Sequence, residues 1–146
     1  MHEGWSLVRE QRMRYRLTFG FISVCTAAAA MAQTFPTMTI DSTVPTGVKR
    51  QLGFFTSLNP DCSTTGSVQS RLIKRPENGA VELEEGYGYP NYANTNQRYA
   101  CNREMVMGVR VIYVSKDGYL GKDAFEAEFF TPSGGDVVWS YSVTVK

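Results

Sequence analysis

The chain has 146 residues, a hydrophobic fraction of 42% and a formal net charge of +1 at pH 7. A chain of this length holds one domain, and its near-neutral charge offers no basic footprint for nucleic acid or anionic lipid. The only histidine, His2, lies in a segment that we expect to be removed. Histidine-dependent triads and the commonest zinc sites are therefore excluded from the remainder.

The first 32 residues are typical of a secretory signal peptide. Residues 17–30 form an uncharged apolar run, and this run follows four basic residues, Arg9, Arg12, Arg14 and Arg16. The sequence Ala-Met-Ala at 30–32 is a small-residue cleavage site, so we expect cleavage before Gln33. Met13 is an alternative start for the same signal peptide. Attachment as a lipoprotein through Cys25 is less favoured, because Val24 stands where a small residue is required.

Removal of residues 1–32 leaves a domain of residues 33–146 with an expected periplasmic or secreted location. The apolar run is too short to be a good membrane-spanning helix, so we expect no membrane span after cleavage. The leader holds four of the 15 Lys and Arg residues and two of the 14 Asp and Glu residues, which gives the remainder a net charge of −1. Nucleic acid is therefore not an expected partner.

Two cysteines remain after cleavage, Cys62 and Cys101. In an exported domain such a pair most often forms one structural disulfide. Chain entropy predicts about 4 kcal/mol of stabilisation for a bridge that closes a loop of this length. A redox-active pair is the alternative, but the C-x-x-C arrangement typical of such pairs is absent.

Alternation of apolar and polar residues predicts seven β-strands in the domain, and no segment of it has a sustained 3.6-residue apolar period. The strands are expected at residues 35–40, 50–58, 68–73, 81–84, 105–114, 123–129 and 137–145. Turn sequences rich in Pro, Gly and Asn separate them, and Asn78-Gly79 is a typical hairpin turn. Short strands with regularly spaced turns indicate an all-β, antiparallel β-sandwich.

Counting strand directions groups the loops into two ends of the sandwich. If successive strands alternate in direction, the turns at 45–47, 76–79 and 115–122 lie at one end, which we name the corner end. The loops 59–66, 85–104 and 132–136 lie at the other end, the cysteine end, which brings Cys62 and Cys101 together. A disulfide requires Cα atoms about 4.4–6.8 Å apart. We expect the bridge to tie two loops together rather than to join the two sheets as in an antibody domain.

The stretch 113–130, YVSKDGYLGKDAFEAEFF, forms a glycine-bearing corner between two strands. Together with the P-x-x-G-x-V sequence at 76–81 and the alternating strand at 139–145, it resembles bacterial cadherin-like or Ig-like β-sandwich repeats. The resemblance implies an Ig-like sandwich in a small secreted single-domain protein and says almost nothing about activity. Within it we expect a structural corner of six residues, Tyr113, Gly118, Tyr119, Gly121, Asp123 and Phe125.

No motif for catalysis or for a cofactor is present. The sequence lacks a G-x-S-x-G motif, a P-loop and a dinucleotide fingerprint, so we expect no enzyme activity, no cofactor and no metal site. Calcium, which cadherin-like repeats often bind, would use Asp41, Asp117 and Asp123, but the acidic linker of those repeats is missing. Asp117 and Asp123 are instead expected to accept backbone N–H groups in the corner. The acidic residues at 82–85 and 126–128 are expected to be solvated.

The candidate binding surface is the irregular segment 86–99. Its composition is that of a recognition loop, and the candidate binding residues are Tyr87, Tyr89, Tyr92, Asn94, Arg98 and Tyr99. Tyrosine offers flat apolar area with a hydrogen-bonding tip, so a protein or a glycan is the expected partner. The structural alternative is that these tyrosines cap the open end of the sandwich, with Cys101 holding the segment in place.

A second interpretation concerns the loop 59–66, Asn-Pro-Asp-Cys-Ser-Thr-Thr-Gly. It resembles an interrupted form of the N-P-T-T-G loop of Ig-like cysteine-protease inhibitors, although their R-P-W loop is missing. The favoured interpretation is an exported, non-catalytic Ig-like module with a binding or structural role in the cell envelope. The alternative is a protease-inhibitor-like or enzyme-regulating secreted domain.

Overall fold

Seven strands and a short 3-10 helix are formed by residues 37–146, the part of the chain that a computed structural model describes. The strands are β1 (Thr37–Val44), β2 (Arg50–Phe55), β3 (Gln69–Lys74), β4 (Gly79–Gly88), β5 (Val106–Ser115), β6 (Gly121–Phe130) and β7 (Asp136–Val145). The 3-10 helix spans Tyr99–Arg103, between β4 and β5. The expected signal peptide, its cleavage site and residues 35 and 36 of the first predicted strand lie outside the described residues.

The strands form two sheets, with the order β1-β7-β6-β3 in one and β2-β5-β4 in the other. An immunoglobulin-type domain places its third, sixth and seventh strands in one sheet and its second, fifth and fourth strands in the other. Strands β2 to β7 follow this arrangement. The prediction of an all-β, Ig-like sandwich of about seven strands is confirmed.

Strand β1 departs from the expected antiparallel pattern. It pairs in parallel with β7, from Thr37 opposite Val138 to Val44 opposite Val145. The first and seventh strands run in the same direction when successive strands alternate, so their pairing has to be parallel. In a constant-type Ig domain the first strand lies in the sheet of the second strand, whereas here it joins the other sheet. Within the described residues, β2 is therefore an edge strand whose outer side has no neighbouring strand.

The inward-facing residues of β5, β6 and β7 form the centre of the core. Phe125, Ala127 and Phe129 alternate along β6 and are fully buried. Phe125 stacks between Tyr113 of β5 and Tyr141 of β7, with ring centroids 5.9 and 4.4 Å away. Aromatic side chains of this size bury about 150–250 Å² each. This stack therefore contributes a large part of the apolar burial that holds the two sheets together.

Several strand residues differ from the sequence expectations. Tyr87 lies in β4 rather than in the irregular segment, because this strand continues to the cysteine end. Met107 is exposed although it alternates with the buried Val109, Val111 and Tyr113, because the buried stretch of β5 begins only after it. Glu128, predicted to be solvated, is buried and pairs with Arg71. The pairing register of β3 and β6 places these two residues opposite each other.

The corner end is closed by the carboxylate of Asp123. It accepts hydrogen bonds from the N–H groups of Glu77 and Asn78 in the β3–β4 turn, at 3.0 and 3.1 Å, and from that of Ala124 at 2.9 Å. The Tyr113 hydroxyl donates to the same carboxylate at 2.9 Å. Burial, reinforced by this hydrogen bond to Asp123, raises the pKa of Tyr113. The carboxylate thus joins the corner to a neighbouring turn.

The other turns of the corner end are also bonded to one another. The N–H of Gly47 donates to Oγ of Ser115 at 2.8 Å, and the N–H of Lys116 donates to the carbonyl oxygen of Asn78 at 2.8 Å. Gly118 and Gly121 have φ angles of 73° and 134°, which glycine adopts without steric penalty.

Inside the corner, the Tyr119 hydroxyl donates to the carbonyl oxygen of Lys122 at 2.6 Å. Among residues 37–146, no group of three or more His, Cys, Asp or Glu side chains is placed to hold a metal ion. No helix in this part of the chain is long and apolar enough to cross a membrane.

Candidate functional site

The cysteine end is held together by the predicted disulfide. Cys62 and Cys101 are bonded, with their Cα atoms 5.4 Å apart, and Cys101 is fully buried. The bridge joins the loop after β2 to the 3-10 helix. Arg98 makes a second link, because its Nε donates to the carbonyl oxygen of Leu58 at 2.5 Å. The prediction of a disulfide that ties two loops is confirmed, and such bonds are typical of proteins from oxidising compartments.

Asn102 holds the middle of the tyrosine-rich segment in place. Its Oδ1 accepts a hydrogen bond from the N–H of Tyr92 at 2.8 Å, and its Nδ2 donates to the carbonyl oxygen of Tyr92 at 2.9 Å. Because Asn102 directly follows Cys101, the disulfide also fixes the position of this amide. Residues 90–93 therefore have a defined backbone position without belonging to a strand.

These residues roof an apolar cleft on the open side of the sandwich. The cleft has a volume of about 380 Å³ and is lined by Met38 and Ile40 of β1, residues 52–56, Trp139 of β7 and residues 90–93. It lies between β1 and β2, the edge strands of the two sheets. Its volume falls within the range of about 300–1,000 Å³ that is usual for ligand pockets.

The free edge of β2 forms one wall of the cleft. Five consecutive residues, 52–56, line it, although alternate side chains of a strand point to opposite faces. Phe54 illustrates this, because its ring packs against Gly108 of β5 and Gly88 of β4 while the residue still lines the cleft. What the five residues share is their backbone, so the unpaired edge of the strand faces the cleft.

Two aromatic residues of β7, Trp139 and Tyr141, pack against β2 at Gly53, which lines the cleft. The Tyr141 hydroxyl occupies the space that a side chain at position 53 would fill, and the Trp139 ring lies 3.1 Å from the same point. This hydroxyl is buried and has no hydrogen-bond partner among the described residues. Burial raises the pKa of Tyr141. Glycine at position 53 is what allows both rings to approach β2.

The six predicted binding residues fall into three groups. Tyr92 lines the cleft. Partial burial raises the pKa of its hydroxyl, and the positive charge of Arg98 lowers it to a smaller extent. Arg98 itself is engaged with a backbone carbonyl and has a structural role. The remaining four are exposed at the cysteine end and do not line the cleft: Tyr87, Tyr89, Asn94 and Tyr99.

Comparisons with known proteins do not assign a family. No family model matches the chain, and no curated protein matches it significantly. The solution structure of amebosin aligns with 78% of this chain and 100% of its own length, at 12% identity and a TM-score of 0.43. A Photobacterium sp. JT-ISH-224 2,6-sialyltransferase, solved with CMP and lactose, aligns with 78% of this chain and 18% of its own length, at 10% identity and a TM-score of 0.31. Both TM-scores are below 0.5, so neither likeness bears on the function of this chain.

The strand residues that line the cleft could not be recognised in the sequence. Met38 and Ile40 alternate with polar residues, and Trp139 belongs to the alternating set of β7 with Tyr141 and Val143. All three look like ordinary sandwich positions, because periodicity does not distinguish a cleft from a core. One indication was available in Gly53, since a glycine inside an apolar strand favours a bulge or a close approach of another group. The structure has both features there, because the register shifts between Gln51 and Gly53 and two rings approach the glycine.

Proposed function

We propose that the chain is an exported, non-catalytic Ig-like module that binds an extended segment of a partner protein in the cleft at the cysteine end. The observation that carries the proposal is the presence of a free strand edge and an apolar cleft in one place. The disulfide and the expected signal peptide support a location in the periplasm or outside the cell.

A free strand edge is a site for strand addition. Residues 52–56 line the cleft consecutively, and no strand of the described chain pairs with the outer side of β2. An extended peptide gains main-chain hydrogen bonds when it pairs with such an edge. Proteins usually protect exposed edges with charges, prolines or bulges. The bulge of β2 ends at Gly53, and the residues from there to Phe55 carry no charge.

The cleft supplies selectivity for the side chains of the bound segment. Alternate side chains of an added strand point to opposite faces, so those on one face enter the space between Met38, Ile40 and Trp139. An aliphatic or aromatic side chain gains apolar burial there. None of the described residues that line the cleft is charged, so a charged side chain would be desolvated without a partner.

The roof of the cleft is ordered before any partner arrives. Residues 90–93 are held by Asn102 and by the neighbouring disulfide. A loop that is already ordered loses less entropy on binding, which favours affinity. Tyr87, Tyr89 and Tyr99 extend the exposed aromatic surface beyond the cleft, and tyrosine is enriched at protein interfaces.

Peptide selection tests the proposal. Peptides are selected from a displayed random library against the disulfide-bonded chain, and binding is followed by the emission of Trp139, the only tryptophan of residues 33–146. We expect the selected peptides to share an apolar residue in an extended motif and to shift this emission. Met38 is exposed, so Met38→Lys is expected to leave stability within about 0.5 kcal/mol and to weaken peptide binding about tenfold, or about 1.4 kcal/mol.

Ile73→Lys is the matched control, because Ile73 is a similarly exposed apolar residue on β3, the other edge of the first sheet. We expect this variant to bind the selected peptides like the unmodified chain. Equal loss of binding in both lysine variants, or unchanged Trp139 emission at saturation, would show that the peptides do not use the cleft.

The structural-cap interpretation of the tyrosines is tested by replacing Tyr87, Tyr89 and Tyr92 together with serine. Lost stability with retained peptide affinity would favour the cap. Retained stability with lost affinity would favour the binding surface. Of these three tyrosines, Tyr92 is the one that lines the cleft. A variant that changes only Tyr87 and Tyr89 therefore distinguishes an effect of the exposed tyrosines from an effect of the cleft.

A second candidate function, protease inhibition, is favoured by the rigidity of the loop 59–66. The N–H of Asn59 donates to the carbonyl oxygen of Ser63 at 2.8 Å, and hydrogen bonds from Ser63 lower the pKa of Asp61. Cys62 has a φ angle of 68°, which is uncommon for a residue other than glycine. Inhibition of papain that disappears when the Cys62–Cys101 bond is reduced would support this function. No inhibition of papain at a saturating concentration of the domain would exclude this function.

A further inference from the structure

We propose that the corner end docks on a membrane surface rich in anionic phospholipid. This surface lies at the opposite end of the sandwich from the cleft. The proposal is therefore independent of the peptide-binding function and leaves the cleft open when the domain is docked.

Positive charge is concentrated at the corner end. Besides the last residue, Lys146, five basic side chains there have no carboxylate partner among residues 37–146: Arg50, Lys74, Arg75, Lys116 and Lys122. The cysteine end carries four acidic residues, Asp61, Glu85, Glu104 and Asp136, against two basic residues, Arg98 and Arg103. The overall charge of −1 for residues 33–146 hides this separation, and net charge alone had argued against a lipid surface.

Acidic side chains offset the charge of the corner end only in part. The carboxylate of Asp123 is buried and accepts four hydrogen bonds. Glu82 is paired with Lys49 at 2.8 Å, so these two charges compensate each other. With the Asp123 carboxylate, Glu77 and Asp117 make three acidic groups at this end without a basic partner in the described chain, against the five basic residues named above.

Three of the basic residues surround a second cleft of about 360 Å³. Lys74 ends β3 and Arg75 follows it, while Lys122 lies at the start of the neighbouring strand β6, opposite Thr144 of β7. The guanidinium group of arginine and the ammonium group of lysine both bind phosphate oxygens strongly. A phosphodiester headgroup therefore fits the basic part of this lining. The lining also includes Glu77 and Asp123, and the carboxylate of Asp123 already accepts four hydrogen bonds from the protein.

Two exposed apolar side chains lie in turns of the same corner end. Leu120, in the turn between β5 and β6, is 66% exposed, more than any other large hydrophobic residue of the described chain. Val48, in the turn between β1 and β2, is 42% exposed, and the two turns are joined by the hydrogen bond from Gly47 to Ser115. At a lipid surface such apolar tips enter the boundary of the acyl chains while the surrounding cations stay among the phosphates.

The apolar tips distinguish a lipid surface from a soluble polyanion. A soluble polyanion would be attracted by the cations but would gain nothing from burial of Leu120 and Val48. A membrane uses both features, since a basic patch and an apolar insertion together give stable attachment where either alone is weak.

Vesicle flotation tests the proposal with the exported, disulfide-bonded chain. We expect it to float with vesicles that contain phosphatidylglycerol and not with vesicles of phosphatidylcholine alone. The attraction should weaken as salt shortens the Debye length from about 10 Å at 0.1 M to about 3 Å at 1 M. Each cation near an anionic surface is expected to contribute about fivefold in affinity. Lys122→Gln should then weaken binding about fivefold, and the triple replacement of Lys74, Arg75 and Lys122 by Gln about a hundredfold.

Arg103→Gln is the matched control, because Arg103 is an exposed cation of the cysteine end. We expect it to float like the unmodified chain. Leu120→Ser should weaken flotation without changing its salt dependence. Equal flotation with both kinds of vesicle, equal losses in Arg103→Gln and Lys122→Gln, or no effect of Leu120→Ser would each overturn the proposal. Peptide titration of the triple variant, read at Trp139, is expected to be unchanged, which separates a failure at this end from a failure at the cleft.

Discussion

The unpaired hydroxyl of Tyr141 gives the sharpest test of the packing around the cleft. This hydroxyl is buried between the sheets and has no hydrogen-bond partner among the described residues. A buried polar group without a partner costs about 1–3 kcal/mol. Tyr141→Phe removes that cost and leaves a void of roughly one oxygen atom, worth about 0.3 kcal/mol at about 24 cal/mol per Å³. We therefore expect the free energy of unfolding to rise by about 1 kcal/mol.

Tyr113→Phe is the matched comparison in the same aromatic stack. Its hydroxyl donates to the carboxylate of Asp123, and a hydrogen bond to a charged group contributes about 1.5–3 kcal/mol. This variant is expected to lower the free energy of unfolding by about 2 kcal/mol. Urea denaturation measures both changes as shifts of the midpoint at constant slope. A loss of more than 1 kcal/mol in Tyr141→Phe would mean that the hydroxyl has a partner, and would refute the reasoning.

The same two tyrosines predict a loss of stability at alkaline pH. Burial raises the pKa of both in the folded state, while tyrosines of the unfolded chain titrate near 10. The stabilisation that the two neutral hydroxyls contribute is complete below pH 10. It is lost as the pH rises towards their pKa values in the folded state. Each tyrosine is expected to lower the free energy of unfolding by about 1.4 kcal/mol per pH unit above pH 10. Tyr141→Phe should reduce this slope, and an unchanged slope would contradict the assignment.

Three further changes test the rest of the fold by denaturation. Replacing Cys62 and Cys101 together with alanine should lower the free energy of unfolding by about 4 kcal/mol; a loss below 1 kcal/mol would show that the bridge does not constrain the unfolded chain. Asp123→Asn should lower it by about 3 kcal/mol, since buried donors lose a charged acceptor, whereas the exposed Asp117→Asn should stay within about 0.5 kcal/mol. Gly53→Ala should lower it by about 1–3 kcal/mol, because the added methyl group overpacks the space of the Tyr141 hydroxyl; unchanged stability would mean that the rings move aside freely.

Local sequence patterns were sufficient for the strands and the disulfide. The alternation that makes Phe125, Ala127 and Phe129 inward-facing is a property of a few neighbouring residues, so β6 could be located from the sequence. The parity of the strand count then placed Cys62 and Cys101 at the same end, where the structure bonds them. Neither inference needs to know which strands are neighbours within a sheet.

The cleft could not be predicted, because it depends on which sheet β1 joins. The alternation of β1 is the same in either sheet, and the choice is made by pairing with β7 along the whole of β1 and by burial of Val44. Only that choice leaves the edge of β2 open. The burial of Glu128 also depends on which strands are neighbours. The pattern of its own strand places it on the outer face, and its partner Arg71 is distant in sequence.

The tyrosine-rich segment shows the limit of composition as a guide to function. Its tyrosines look equivalent in the sequence, yet Tyr92 is held in the cleft by Asn102, while Tyr87, Tyr89 and Tyr99 remain exposed. The resemblance to cadherin-like repeats stays a prediction, since no family model matches the chain.

Hydrogen exchange at the edge of β2 tests the proposed binding mode most directly. The amide exchange of residues 52–56 is measured with and without a selected peptide at saturation. If the peptide adds a strand to this edge, the outward-facing amides gain partners and their exchange slows, while the amides of β3, at the other side of the molecule, are unchanged. Binding that leaves the exchange of residues 52–56 unaltered would contradict strand addition at the cleft.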